Sequence, residues 1–407
     1  MSTLPTEATP DVSAHSGGPA ASADLGVVMT GGGARAAYQV GLLRYLARRF
    51  PDLQIPIITG VSAGAINAAL LASHHGTFCQ AVDELVGLWS SLTVKDVFRV
   101  DARSLGWNAL KWARQLASGG RGGVPRVQGL VDTSPLRIFL AEALHAVDGE
   151  LTGVQYNLAR RRLKAIALST SSYNTGRSVT WIQGRDIREW ERPQRSSANT
   201  TLTVDHVMAS SALPLFFPAV QIGDTWYGDG GVRLAAPLSP ALHLGAGRIL
   251  AISTRYDRSR REAATPMVAG YPPPAQVMGV LMNSIFLDLL DQDAYRLERL
   301  NRLLARVPPD EREGLRHVNL LVLRPSVDLG QLANQYEPQL PPAFRFLTRG
   351  LGTRDTSSPD ALSLILFQPD YLSRLIEIGE ADAEARADEI AEFLHVGSPT
   401  PIRNPAE

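Results

Sequence analysis

Gly60-Val61-Ser62-Ala63-Gly64 is the stretch of this chain whose residue types and spacing suit nucleophilic catalysis. Glycines two positions before and after a serine fit a sharp turn from strand to helix, because a side chain at either place would collide with neighbouring backbone. Such a turn exposes the hydroxyl at the helix N-terminus. Unpaired N–H groups and the positive end of the helix dipole then meet the negative charge that develops on an attacked carbonyl. The flanks agree, since the apolar run Ile55-Pro56-Ile57-Ile58 precedes the turn and the helix-favouring Ala65 to Ala72 follows it. A second reactive group is Asp229, set between Gly228 and Gly230-Gly231 after the aromatic pair Trp226-Tyr227. Glycines around an aspartate ordinarily mark a β-turn. Here they also let the carboxylate approach another loop closely, which makes Asp229 the second candidate catalytic group.

A glycine-rich loop, Gly31-Gly32-Gly33-Ala34-Arg35, joins the strand-like Leu25 to Met29 to a helix expected from Ala36 to Phe50. With Ala36 it also fits the dinucleotide fingerprint, and Asp52 stands about 20 residues beyond Gly31 as that fingerprint asks. Placement argues against a dinucleotide, because the ribose-binding acid should end the second strand and Asp52 precedes it. Consecutive glycines suit instead a loop whose bare N–H groups face an oxyanion, since side chains would keep a carbonyl oxygen from coming within ~3 Å. Arg35 either orients that loop or is a solvated cation at the helix start.

These groups need a scaffold. The helix from Ala36 carries Val40, Leu43, Leu46 and Ala47 on one stripe and stops before Pro51. A strand over Ile55 to Thr59 then feeds the serine turn. Strand, loop, helix, strand, turn and helix in that order are the start of an α/β sheet with parallel strands. Further along, the pattern predicts a long amphipathic helix over Ala275 to Arg306, a strand over Val318 to Leu323, a surface loop over Gln331 to Pro359 and a final helix over Tyr371 to Leu394. No internal repeat is visible.

Composition narrows the function classes. The 40 basic and 40 acidic residues cancel, so nothing argues for nucleic-acid affinity. The single cysteine, Cys79, excludes an intrachain disulfide framework and fits a cytoplasmic, reducing compartment. Met1 to Ala23, rich in Ser, Thr, Pro, Ala and Gly, has neither the basic start nor the apolar run of a secretory signal and reads as a disordered tail over 1–23. No Asp, Glu, Lys or Arg occurs from Ile57 to Val82, yet Gly60, Gly64, Asn67, Ser73, His74, His75 and Gly76 interrupt that stretch. It reads as a buried core helix rather than a transmembrane segment. Over 103–126 the chain carries Arg103, Lys111, Arg114, Arg121 and Arg126, no acid, and Trp107 and Trp112 beside an apolar stripe. That segment fits a surface helix packed on the core, or a lid making peripheral membrane contact. Arg255, Arg258, Arg260 and Arg261 read as a solvated loop.

Taken together and in order, the G-G-G-x-R loop, the G-x-S-x-G turn, the segment Ala209-Ser210-Ser211-Ala212-Leu213-Pro214-Leu215-Phe216-Phe217-Pro218 and the terminal Asp229-Gly230-Gly231 resemble the patatin-like phospholipase family. Phe286-Leu287-Asp288, Asp291-Gln292-Asp293-Ala294 and Ser363-Leu364-Ile365-Leu366-Phe367 also look like its bacterial members. The resemblance implies a three-layer α/β/α patatin-like sheet, with a catalytic domain over 25–256 and a mostly helical C-terminal extension over 257–407 packing on it. It implies a serine acyl hydrolase with Ser62 as nucleophile and Asp229 as general base, Gly60 and Gly64 forming the elbow, and Gly230 and Gly231 in support. Gly31, Gly32 and Gly33, with the neighbouring Ala34 and Arg35, would form the oxyanion hole. Neither a metal nor a cofactor is implied, and the partner is a phospholipid or other lipid ester. Ala36 stands where the family commonly has glycine, which a residue already in helical conformation should tolerate. Two alternatives are an α/β-hydrolase triad using His243, His317 or His395, and a non-catalytic lipid-binding relative. Oligomeric state is not legible.

Overall fold

The computed structural model describes residues 24–99, 129–268, 270–350 and 360–395. The expected tail over 1–23 and the basic segment 103–126 lie outside them. Among the described residues ten strands form one mixed sheet. Its parallel half runs in the order β10 (Asn319–Leu323), β9 (Arg248–Ile252), β1 (Leu25–Met29), β2 (Ile57–Val61) and β3 (Ala165–Ser172). Strand β4 (Ser178–Gly184) then pairs antiparallel with β3, followed by β6 (Arg195–Asn199) and β5 (Glu191–Arg192).

Burial on both faces explains why the central strands lack a polar alternation. Val27 and Met29 face one buried cluster with Leu43, Leu46 and Leu372, while the intervening Val28 faces a second with Leu238, Leu290 and Leu297. Helices therefore cover each side, and the architecture is three-layered. Helix α1 (Ala37–Arg49) follows a short 3-10 turn over Gly33–Ala36, and Ala36 ends that turn at φ −65°, ψ −15°. Its methyl group fits because the residue is already helical. Helix α2 (Ala63–Ser73) follows β2, and α3 (Phe78–Ser91) starts with a capping box between Thr77 and Gln80.

Several expected boundaries shift. Strand β2 starts later than Ile55 and runs on to Val61, directly into the serine. The long helix expected from Ala275 is two helices, Pro274–Phe286 and Leu289–Leu304, broken where Asp288 pairs with Arg255. The final helix likewise divides into Pro369–Ala385 and Ala387–His395. Within the expected loop from Gln331, helices occupy Leu329–Ala333 and Pro342–Gly350. The arginine cluster is only partly solvated: Arg255 also pairs with Asp291 and Arg258 with Asp328, whereas Arg260 and Arg261 are exposed. No helix among the described residues is long and apolar enough to cross a membrane.

Candidate active site

The site is assembled along one strand. Ser169 of β3 pairs with Val61 of β2, and the next residue, Thr170, pairs with Asp229 at the end of β8 (Thr225–Asp229). Since β4 occupies the opposite edge of β3 along Ala165 to Ser171, β2 and β8 share the remaining edge end to end. Their C-terminal ends face each other there. Ser62 and Asp229 meet at the junction, with the Ser62 hydroxyl donating to Asp229 Oδ2 at 2.6 Å.

Ser62 adopts φ 57°, ψ −134°, a conformation that L-residues seldom populate and that costs of order 1–3 kcal/mol. The elbow glycines are required by contact. A Cβ at Gly64 would lie 2.4 Å from Met29 O, and one at Gly60 2.5 Å from Gly64 O. Two serines of the small-residue segment hold the turn in place: Ser210 Oγ accepts from the Ser62 N–H at 3.1 Å and donates to Ser169 O at 2.7 Å, while Ser211 Oγ donates to Ser62 O at 3.0 Å. On the aspartate side, Gly231 N–H donates to Asp229 Oδ1 at 2.9 Å and Ser171 Oγ to Asp229 O at 2.8 Å. Gly230 packs directly on Ser169 O.

Asp229 is fully buried and Ser62 nearly so. Desolvation disfavours the charged carboxylate and pushes Asp229 up to about 7, against the opposing pull of its hydrogen bonds from Ser62 and the Gly231 N–H. Near neutral pH the carboxylate is thus a far stronger base than an exposed aspartate. Ser62 opens onto an apolar pocket lined by Ile66, Trp89, Phe139, Phe217 and Phe286, among others.

The glycine loop borders the same pocket. Gly32 and Gly33 line it, and a Cβ at Gly31 would lie 2.9 Å from Ser62 Cβ. The first bond of the 3-10 turn runs from the Arg35 N–H to Gly32 O, so the N–H groups of Gly32, Gly33 and Ala34 have no intrahelical partner. The Arg35 amide is used within the turn and is not among these donors. Its side chain is not solvated either: Arg35 is 3% exposed, pairs with Asp360 and donates from Nε to Ser363 Oγ at 2.7 Å. A buried amide network fixes the other end, where Gln39 Nε2 donates to Thr30 O and Asn67 Nδ2 to Ala36 O.

No histidine among the described residues bonds Ser62 or Asp229. His243 stacks on Trp190 with ring centroids 4.4 Å apart, and His395 meets the edge of Phe50. Sequence reasoning assigns no role to Ser210, Ser211, Asp360 or Ser363, although Ser210 and Ser211 lie in one segment that it singles out and Ser363 opens another. A doubled serine inside a small, apolar run is the available signal there. For Asp360 no local signal exists.

The solved structures similar to this chain include VipD from Legionella pneumophila, with 13% identity and a TM-score of 0.38 over 93% of this chain and 68% of that one. Human GIVD cytosolic phospholipase A2, in complex with methyl gamma-linolenyl fluorophosphonate, shows 14% identity and a TM-score of 0.44 over 92% of this chain and 59% of its own. A chain of the SpcU–ExoU complex from the type III secretion system of Pseudomonas aeruginosa shows 16% identity and a TM-score of 0.27, covering 92% and 80%. No curated protein sequence matches significantly. The family model for patatin-like phospholipases matches residues 27–242, just over half of the chain. This protein belongs to the patatin-like phospholipase family.

Proposed function

We propose that this protein hydrolyses fatty-acyl esters of phospholipids or related lipids through a Ser62–Asp229 dyad and an acyl-enzyme. The observation that carries the reading is the 2.6 Å hydrogen bond from the Ser62 hydroxyl to a carboxylate that burial has made more basic than an exposed aspartate. Ser62 Oγ attacks the ester carbonyl as its proton passes to Asp229 Oδ2. The C–O bond to the alcohol breaks, and Asp229 returns the proton to the departing alkoxide. Water then gives a proton to Asp229 and attacks the acyl carbonyl; the bond to Ser62 Oγ breaks as Asp229 passes that proton to it, releasing the fatty acid and restoring both groups.

Charge on the carbonyl oxygen develops beside the N–H groups of Gly32, Gly33 and Ala34, with Gly31 bare against the serine. Each such donor is worth roughly 3–4 kcal/mol of barrier. Apolar walls at Ile66, Trp89 and Phe217 suit an acyl chain and exclude water from the oxyanion. Because the aspartate itself takes and returns the proton, the sequence of steps calls for no metal.

Covalent labelling tests the reading. A fluorophosphonate should modify Ser62 alone, read by peptide mass spectrometry, and should abolish hydrolysis of a short-chain nitrophenyl ester and of phosphatidylcholine vesicles. Labelling at another serine, with hydrolysis intact in Ser62→Ala, would overturn it.

A further inference from the structure

We infer that Asp360 and Ser363, far outside the region matched by the family model, are positioning residues that hold the glycine loop in register with Ser62 through Arg35. The inference rests on the proposed role of the loop amides as oxyanion donors.

Arg35 follows Ala34 in the turn that carries those amides, so its side chain is the loop's longest lever. Both ends of its guanidinium are held from one short helix, Asp360–Ile365: one terminal nitrogen pairs with Asp360 Oδ1 and Nε donates to Ser363 Oγ at 2.7 Å. Ser363 Oγ in turn donates to Asp360 O at 2.6 Å. The other carboxylate oxygen, Oδ2, accepts from Asn283 Nδ2 at 2.7 Å. Asn283 belongs to Pro274–Phe286, the helix whose last residue, Phe286, lies against both Gly31 and Gly231. Arg35, Asp360 and Ser363 are all more than nine-tenths buried.

The same helix also contacts the loop through its backbone. A Cβ at Gly33 would lie 2.0 Å from Leu364 O, and Gly33 has φ +53°. Leu364 and Ile365 then continue into the wall of the Ser62 pocket. An ion pair that served stability alone would not need to converge on the residue following the donors. This one sets both the height of the loop, through Leu364 O, and its rotation, through Arg35. Misplacing a donor by about 1 Å can cost roughly 10²-fold in rate.

Asp360→Asn is a mild substitution. It keeps the shape of the side chain but removes its charge, so the bond that anchors Arg35 becomes a neutral one of roughly half the strength, and the new amide nitrogen faces the Asn283 Nδ2 donor unless Asn283 flips to offer its Oδ1, unpartnered among the described residues. Ser363→Ala removes the bond from Arg35 Nε and the one to Asp360 O but leaves the ion pair, and it serves as the second variant if Asp360→Asn folds poorly. Glu380→Gln is the control, since Glu380 pairs with Arg44 and Arg48 of α1 and so joins α1 to a C-terminal helix without touching the loop. The measurements are kcat and KM on a nitrophenyl ester well below each Tm, and the rate at which a fluorophosphonate labels Ser62, whose adduct places an oxygen where the oxyanion would sit.

A positioning role requires kcat and the labelling rate to fall together, by about 10- to 100-fold in Asp360→Asn and less in Ser363→Ala, with KM little changed and Ser363→Thr recovering most of the loss. Glu380→Gln should lower Tm alone. Equal labelling of wild type and both loop variants would overturn the inference while leaving the dyad standing, as would an equal kcat loss in Glu380→Gln. Absence of Ser62 labelling in the wild type would overturn the dyad reading and this inference with it.

Discussion

Val61 and Asp229 occupy adjacent rungs on the same edge of β3, opposite Ser169 and Thr170 respectively. The separation of Ser62 and Asp229 is therefore fixed by backbone hydrogen bonding and not by side-chain rotamers alone. Two strands that approach head-on cannot continue past each other. One must turn away, and β2 does so at Ser62, whose unusual φ is the geometric consequence.

In the proposed mechanism the two groups exchange one proton, so they should fail as a unit. Ser62→Ala and Asp229→Asn are each expected to lower kcat by about 10³-fold or more, and the double variant by little beyond either alone. Steady-state kinetics on a nitrophenyl ester, with circular dichroism to establish folding, would measure this. Additive losses would mean that the carboxylate acts independently of the serine.

The buried carboxylate also predicts a pH profile. Asp229 must be ionised to take the serine proton, and burial places its titration at about 7. With this group in control, kcat/KM should rise about tenfold per pH unit up to about 7 and level off above it. Stability should move the other way. A carboxyl whose folded pKa exceeds its unfolded value of roughly 3.9 favours folding fully below that value, and the contribution is lost as pH rises through about 7. Asp229→Asn should accordingly gain Tm relative to wild type more at pH 8 than at pH 4. A flat activity profile from pH 5 to 8 would place the controlling group elsewhere.

Sequence logic reaches the elbow, the glycine loop and Asp229 because each depends on local rules. Gly64 has to be glycine since Met29 O leaves no room, and a strand ending in glycines followed by small helix formers carries that constraint in its own neighbourhood. Breaks in regular pattern are harder. The apolar periodicity continues from Phe286 across Asp288, and only the pairing of Asp288 with Arg255 marks the interruption. Arg35 is ambiguous in sequence for the same reason, because its partner Asp360 is 325 residues away. Helix Asp360–Ile365 carries the ordinary signature of a buried segment, and nothing in it points to a glycine loop.

Ser210 offers a test of the elbow itself. Its hydroxyl satisfies the buried N–H of the strained Ser62 and passes a bond on to Ser169 O. Ser210→Ala leaves both groups unpaired, which should cost about 1–3 kcal/mol of stability. The strained φ then loses one of its restraints, so kcat should fall as well, whereas Ser210→Thr should retain both bonds if its methyl is accommodated. Thermal melts and kinetics of the two variants would separate the bond from the volume. A Ser210→Ala enzyme with wild-type Tm and kcat would show that the turn is held by Ser211 and the glycines alone.

A histidine triad makes the opposite prediction from the proposed dyad, and substitution of the histidines tests between them. His243 lies on Trp190 and bonds Ser239 O at 2.8 Å, His395 packs by its edge on Phe50, and His317 is exposed. Among the described histidines His206 is the buried one, beside Trp181 and bonded to Thr203, and desolvation lowers it to about 4. At neutral pH it is an uncharged packing group that shares no hydrogen bond with Ser62 or Asp229. Replacing His243, His317 or His395 by Gln should leave kcat/KM within about twofold, since substitutions away from a site rarely move more than ~0.5 kcal/mol. His206→Gln should lower Tm through lost packing yet keep the pH profile centred on about 7. A histidine variant that folded normally but lost hydrolysis, or that shifted that midpoint, would transfer the general base from Asp229 to an imidazole.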